Sequence, residues 1–136
     1  MVRVIMEGAG AGKTKQLIEL VNSAVDTEHG NVICIEKKSS LTFNIHHDIR
    51  LISSNEYEIK GFDMFQGFLS GIYAGNYDIT HIFIDNLCKI VSDWDMGHIE
   101  AFLNWLDSFG EKNNIKFTIT MTSAPEDAPA GIKKYF

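Results

Sequence analysis

A glycine-rich segment near the start of the chain, Glu7 to Thr14, most limits what the chain can fold into. Glycines and alanines alternate through it, and a lysine and a threonine end it. A short apolar stretch, Val2 to Met6, precedes the segment. Apolar residues at helical spacing follow it: Leu17, Leu20, Val21 and Ala24. The pattern predicts a strand over residues 2–6, a tight loop, and a helix over about 13–26.

The residue types of this loop suit a polyanionic ligand. Gly8, Gly10 and Gly12 allow positive φ and close backbone approach, so that successive N–H groups can converge on phosphate oxygens. The N-terminus of the following helix adds a partial positive charge. Lys13 would reach the β- and γ-phosphates of a nucleoside triphosphate, and Thr14 would give its hydroxyl to Mg²⁺. The alternative is a glycine-rich turn that binds nothing.

These residues resemble the Walker A motif of P-loop nucleotide-binding proteins, G-x-x-x-x-G-K-[ST]. The family has glycine or alanine where this chain has Glu7. Either Glu7 occupies that position, or the loop is one residue shorter and begins at Gly8. We favour the first, because one side chain at a strand end can turn outward, whereas a shorter loop would disturb the whole cradle. The resemblance implies these nucleotide-binding residues: Gly8, Ala9, Gly10, Ala11, Gly12, Lys13, Thr14 and Lys15.

A second motif begins about 70 residues further along. Ile82-Phe83-Ile84-Asp85 resembles the Walker B motif, an apolar strand that ends in an aspartate. The resemblance implies that Asp85 holds Mg²⁺ through water, opposite Thr14, and that Lys13 and Asp85 are the catalytic residues. Many P-loop ATPases have glutamate at the next position to polarise the attacking water, and this chain has Asn86. Because an amide cannot accept a proton, the sequence predicts slow hydrolysis.

Other polar residues are weaker candidates. Glu7, Asp93 and Asp95 could replace the missing base, although Asp95 is better explained as a helix N-cap. In P-loop ATPases that have an additional strand between the two Walker strands, a polar residue near the end of the last strand senses the γ-phosphate. Thr122 or Ser123 could take that role, and the β-propensity of threonine explains the strand threonines equally well.

The rest of the chain alternates between strand and helix patterns. Further strands are predicted over 31–36, 50–52, 81–85 and 116–122, with a half-exposed strand through Leu41, Phe43 and Ile45, and further helices over 61–75 and 98–113. We expect Gly67, Gly71 and Gly75 to allow the first of these helices to pack closely on the sheet. The alternation predicts one α/β domain over 1–136, a three-layer sandwich around a mostly parallel five-stranded sheet, with ligands at the carboxyl ends of the strands. The resemblance implies the P-loop NTPase fold.

Composition excludes several classes of function. The net charge is −6 and there are only two arginines, which argues against a dedicated nucleic-acid binder. No apolar run is long enough to span a membrane, and no secretory signal is visible, so we expect a cytoplasmic protein. Cys34 and Cys88 are far apart and are expected to be reduced and partly buried.

His46-His47-Asp48 is a candidate metal site. Adjacent histidines in a strand point to opposite faces and rarely share one ion, so we favour an exposed loop.

Three hypotheses about function remain. The first is an ATP-binding protein with slow or partner-stimulated hydrolysis, a nucleotide-dependent switch that acts on a protein partner or as a homo-oligomer. ATP is chosen because the N-K-x-D guanine motif of GTPases is absent. The second is a small-molecule kinase similar to P-loop thymidine kinases, with an acceptor pocket near residues 40–60, although this chain lacks the cysteines for their zinc site. The third is an interaction module with a degenerate nucleotide site.

Overall fold

The computed structural model describes residues 1–10, 12–41 and 44–136. The strands are β1 (Val2–Glu7), β2 (Asn31–Glu36), β3 (Arg50–Ser53), β4 (Ile79–Ile84) and β5 (Lys116–Thr122). The helices are α1 (Lys13–Thr27), α2 (Phe62–Gly75), α3 (Leu87–Val91), α4 (Met96–Asn113) and α5 (Ala130–Lys133). Short 3₁₀ turns cover Ser54–Tyr57 and Pro125–Asp127.

All five strands form one parallel sheet in the order β1-β5-β4-β2-β3. The predicted α/β class and five-stranded sheet are confirmed, and every pairing is parallel. β5 lies between β1 and β4, so the last strand of the chain separates the strand before the glycine loop from the strand before Asp85. The carboxyl ends of these three strands meet at one edge of the sheet, directly beside the glycine loop.

Helices cover both faces of the sheet, which makes three layers. On one face, α1 packs Leu17 and Val21 against a cluster that includes Phe83. On the other face, α2, α4 and the C-terminal segment form the larger cluster, in which Phe65 and Phe102 are fully buried. Each helix presents apolar residues every three or four positions, as an amphipathic helix on a sheet requires. None of the described helices is long and apolar enough to cross a membrane.

The C-terminal segment covers the β1 edge of the sheet. The backbone N–H of Val4 donates to the carbonyl of Tyr135 at 2.8 Å, and the Tyr135 hydroxyl donates to Asn104 Oδ1 at 2.7 Å. An unpaired strand edge invites association with other chains, and this contact pairs part of it within the molecule.

The segment between β2 and β3 differs from prediction. Leu41 and Ile45 lie in bends and turns, and no strand forms in the described part of this segment; Phe43 lies outside the described residues. Both apolar side chains contact the cluster under α1 instead. These alternating apolar side chains therefore anchor a loop to the cluster, and the segment is not a strand. Helix α3 was not predicted, because five residues are too few to show a helical period.

The expectation that glycines let α2 approach the sheet is wrong. A Cβ atom added at Gly67, Gly71 or Gly75 would meet nothing within 4 Å. These glycines lie on an open face, where they only weaken the helix.

We therefore expect Gly71→Ala to stabilise the protein by about 0.5–1 kcal/mol, because alanine has the higher helix propensity and loses less backbone entropy on folding. Gly110→Ala is the matched control in α4, where the added Cβ would lie 2.6 Å from the carbonyl oxygen of Ile115 and should destabilise. Urea unfolding of both variants measures the difference. A loss of stability in Gly71→Ala would contradict the open-face geometry.

Candidate functional site

The glycine loop joins the carboxyl end of β1 to the start of α1. Gly10 and Gly12 have φ of 78° and 83°, in the left-handed region that side chains disfavour. Gly12 is the N-cap of α1, and no side chain caps the helix there. The first turn of α1 contains no acidic residue, so its N–H groups are left for an external anion. Ala11 lies outside the described residues.

Lys13 is folded back across this loop. Its side chain is only 8% exposed, and Nζ lies 3.5 Å from the carbonyl oxygen of Gly8. It forms no ion pair with a described residue. A buried ammonium without a carboxylate partner is costly unless a ligand anion compensates it. Thr14 and Lys15 are exposed on the first turn of α1.

Asp85 lies at the carboxyl end of β4 and is held by the neighbouring strand. The Thr120 hydroxyl on β5 donates to Asp85 Oδ1 at 3.0 Å and accepts from the backbone N–H of Asn86 at 2.8 Å. Sequence reasoning missed Thr120; the three alternating threonines of β5 were the available signal. Asp85 Oδ2 accepts no hydrogen bond from the residues that the structure describes, so one oxygen is left for a ligand.

Burial raises the pKa of the Asp85 carboxyl, and the charge of Glu36 raises it further. The hydrogen bond from Thr120 and the charges of Lys13 and Lys89 act in the opposite direction without reversing the shift. A divalent cation at Asp85 would favour the ionised carboxylate.

Glu36 is a second acid at this edge that the sequence analysis missed. The strand register pairs Ile35 of β2 with Ile84 of β4. The next residue on each chain segment is an acid, Glu36 after Ile35 and Asp85 after Ile84, so the two acids lie at the same edge of the sheet. The signal was present, because β2 and β4 are both apolar runs followed by an acid. Glu36 is 1% exposed and accepts hydrogen bonds from Ser40 N and Oγ at 2.8 Å and from Leu41 N at 3.3 Å. Because both carboxylate oxygens accept hydrogen bonds from this segment, Glu36 holds the loop after β2.

The backbone conformation at position 86 explains why an asparagine is found there. Its φ is 59°, and it is the N-cap of α3. Asparagine tolerates this left-handed conformation better than glutamate does. Its side-chain amide forms no hydrogen bond with any described residue.

The other candidate bases have local roles. Asp95 Oδ1 accepts from the backbone N–H of His98 at 2.9 Å, which confirms the predicted N-cap of α4. Asp93 accepts from Asp95 N and contacts His98 Nδ1 at 2.8 Å. These contacts lower the pKa of Asp93 and raise that of His98. Asp93 and His98 line a cavity of about 610 Å³ beside the start of α2, whereas Asp85 lines a different one.

Glu7, Thr122 and Ser123 meet at the ends of β1 and β5. Glu7 is the last residue of β1 and pairs in register with Thr122. The Ser123 N–H donates to the Glu7 carbonyl oxygen at 3.0 Å. The Glu7 side chain is half-buried, and the five residues from Gly8 to Gly12 separate it from Lys13.

The smaller cavity lies between the carboxyl ends of β2 and β4 and measures about 280 Å³. We call it the β2–β4 cavity. It is lined by Glu36, Lys37, Lys38, Ser40, Asp85, Asn86 and Lys89. It therefore shares Asp85 with the candidate phosphate site and lies on the side of Asp85 away from β5.

His46, His47 and Asp48 lie in an exposed turn, as expected, but the argument against a shared ion is wrong. The turn stacks the two imidazole rings with centroids 4.4 Å apart, and one ligand atom from each residue lies within 4.8 Å of the others. The three side chains could therefore contact one cation, although all three are exposed.

Both cysteines are buried and unpaired, more fully than predicted. Burial raises the pKa of Cys34 well above its usual range and that of Cys88 to about 11. Neither is a reactive thiol at neutral pH.

No protein-family model matches the chain, and no curated protein matches it either.

We expect Asp85→Asn to raise the stability of the ligand-free protein at neutral pH. The folded state raises the pKa of this carboxyl, so the folded state binds the proton more tightly, and stability falls as pH rises between the unfolded and folded pKa values. Asparagine keeps an acceptor for Thr120 and carries no charge. Thermal unfolding should show a higher Tm at pH 7.5 and a smaller gain toward acid pH, where the wild-type carboxyl is itself protonated.

Asp78→Asn, which makes the same change at an exposed aspartate away from the site, is the control and should leave Tm nearly constant. A lower Tm for Asp85→Asn at pH 7.5 would show that the carboxylate charge stabilises the fold.

Proposed function

We propose that this chain is a P-loop nucleotide-binding protein that binds Mg-ATP at the carboxyl edge of its sheet and hydrolyses it slowly. The observation that carries the proposal is the buried, unpaired Lys13 at an uncapped helix N-terminus, directly after a glycine loop. The position of β5 between β1 and β4 supports it, since some P-loop ATPases have an additional strand between the two Walker strands. We infer the P-loop NTPase fold on the same grounds.

Each group at this edge has a distinct role in the proposal. Loop N–H groups and the start of α1 would hold the phosphates, and Lys13 would exchange its contact with the Gly8 carbonyl for phosphate oxygens. The exposed Thr14 hydroxyl and the free Oδ2 of Asp85 are the oxygen ligands offered to Mg²⁺. Thr120 fixes the orientation of Asp85. The bound cation would neutralise charge on the phosphates.

Slow hydrolysis follows from what surrounds the phosphate site. Asn86 can orient a water but cannot accept its proton, and Glu36 is held by Ser40 and Leu41. The only arginines are Arg3 and Arg50. Arg3 lies near the amino end of β1 and Arg50 begins the edge strand β3, so both lie toward the edge of the sheet opposite the candidate site. Such a protein would hold its nucleotide for long periods, as a switch or regulator does.

Thermal shift and calorimetry test the proposal. Mg-ATP at 100 times its Kd should stabilise the fold by about 2.7 kcal/mol. For a domain of this size that is a Tm increase of about 10 °C. GTP in parallel tests the choice of ATP. A folded protein that shows no shift at millimolar concentrations of either Mg-nucleotide would refute nucleotide binding.

The Asp85→Asn variant also separates a metal ligand from a structural acid. It should weaken binding of Mg-ATP more than binding of ATP in EDTA, because the lost carboxylate contributes through Mg²⁺. Calorimetry with Mg²⁺ and with EDTA gives the ratio of variant to wild-type Kd under each condition. Equal losses in both would assign Asp85 a structural role only.

A further inference from the structure

We propose that the β2–β4 cavity binds a second ligand, a small molecule that carries a phosphate or carboxylate group. Its position beside the nucleotide phosphates rests on the proposed function, whereas the binding of the anion itself does not. The cavity volume, about 280 Å³, is just below the roughly 300–1,000 Å³ of small-molecule sites, so the ligand is small.

Three lysines line this cavity in an otherwise acidic protein. The chain has net charge −6 and twelve lysines and arginines in total, and Lys37, Lys38 and Lys89 all line this one space. None of the three forms an ion pair with a described residue, in contrast to Lys116, which pairs with Glu28 at 2.7 Å. The three ammonium groups are therefore available to an external anion.

The two acids of the cavity do not cancel this charge at its mouth. Glu36 is buried, and its oxygens are turned to Ser40 and Leu41 within the loop. Asp85 directs Oδ1 to Thr120. The lining contains three lysines and two carboxylates, so its net charge is positive even when no metal is bound.

Asn86 completes the lining with a neutral donor. Its side-chain amide forms no hydrogen bond within the described residues, so its donors are not already engaged. A glutamate at this position, as in many P-loop ATPases, would repel an anion in the cavity. The asparagine that removes a catalytic base from the nucleotide site thus favours a second anionic ligand.

Amide NMR of the ¹⁵N-labelled protein saturated with Mg-ADP tests the proposal, with inorganic phosphate and succinate as separate probes. Mg-ADP fills the glycine loop only as far as the β-phosphate, so a probe anion binds either in the cavity or at the position of the γ-phosphate, and the amides that shift distinguish the two. We expect saturable shifts confined to Lys37, Lys38, Ser40, Asn86 and Lys89 with at least one probe. The stronger probe assigns the phosphate or the carboxylate class.

Variants link the shifts to the cavity. Lys37→Ala/Lys89→Ala should weaken probe binding tenfold or more, because each removes a charged contact. Asn86→Asp, which keeps the shape and adds a negative charge, should weaken it comparably. Lys112→Ala/Lys133→Ala makes the same charge change at exposed positions outside the cavity and should have no effect. An equal loss in this control, or shifts spread over all surface lysines, would overturn the proposal.

A further arm separates this proposal from the proposed function. Lys13→Ala without nucleotide should still bind the probe in the cavity. If the wild type binds no Mg-ATP but shows the cavity shifts, nucleotide binding fails and the anion site stands. If Mg-ADP abolishes probe binding in the wild type, the cavity belongs to the nucleotide site and the second-ligand proposal is overturned.

Discussion

Lys13→Ala is expected to weaken Mg-ATP binding by about 100-fold without destabilising the ligand-free protein. A hydrogen bond to a charged group contributes about 1.5–3 kcal/mol, and the upper end of that range corresponds to roughly two powers of ten. The ligand-free protein has little to lose, since Nζ contacts only the Gly8 carbonyl at 3.5 Å and has no carboxylate partner. Removal of a buried, unpaired ammonium should leave Tm constant or raise it.

The effect is measurable as a loss of ligand-induced stabilisation. At a Mg-ATP concentration of 100 times the wild-type Kd, a 100-fold weaker variant is half saturated, and its stabilisation falls from about 2.7 to about 0.4 kcal/mol. The Tm shift should fall from about 10 °C to about 2 °C. Calorimetry gives the affinity ratio directly.

Lys15→Ala is the comparison on the same helix. It removes the same charge from an exposed side chain two residues away, and we expect a loss of a few-fold at most. If Lys13→Ala and Lys15→Ala weakened binding equally, general charge near the helix would explain the affinity. If Lys13→Ala strongly destabilised the ligand-free fold, Lys13 would be a structural residue.

Local patterns were sufficient to predict the strand–loop–helix unit at the start of the chain. The apolar run, the glycines and the 3.6-residue period act within about 25 residues, and the structure places β1, the loop and α1 within one residue of the predicted bounds. The N-cap at Asp95 was also local and is confirmed. The alternation of Leu41 and Ile45 was misleading, because a half-buried loop and a strand share the same pattern of alternate burial.

The rest of the candidate site depends on which strands are neighbours. Glu36 meets Asp85 only because β2 pairs with β4, and Thr120 meets Asp85 only because β5 lies between β1 and β4. Strand order is set by the packing of the whole chain, and no short window of sequence contains it. The resemblance suggested residues for a phosphate site but could not identify the groups that support them or the lysines across the cavity.

Position 86 illustrates the same limit. From sequence alone, Asn86 indicates a lost catalytic base. The structure adds that the backbone there is left-handed, at φ 59°, and that the residue begins α3 beside the β2–β4 cavity. The left-handed backbone by itself favours asparagine over glutamate, so the presence of Asn86 does not require that an ATPase has lost its activity.

We expect the isolated protein to hydrolyse ATP at about 10⁻³ s⁻¹ or more slowly, the range of P-loop enzymes without an arginine finger. Asn86→Glu should raise this rate about tenfold or more, because a positioned general base contributes about 10²–10⁴ and the new side chain must first adopt a suitable rotamer. The same substitution should cost roughly 1 kcal/mol of stability, since glutamate disfavours positive φ. Phosphate release in single-turnover assays measures the rate, and urea unfolding measures the cost.

Asn86→Gly is the matched control, because glycine accepts the backbone conformation and supplies no side chain. It should keep the slow rate of the wild type and most of its stability. Wild-type turnover near 1 s⁻¹ that Lys13→Ala abolishes would contradict slow hydrolysis and would mean that another group acts as the base. Glu7 would then be the first residue to substitute, because it ends β1 directly before the glycine loop, whereas Asp93 and Asp95 are held at the start of α4.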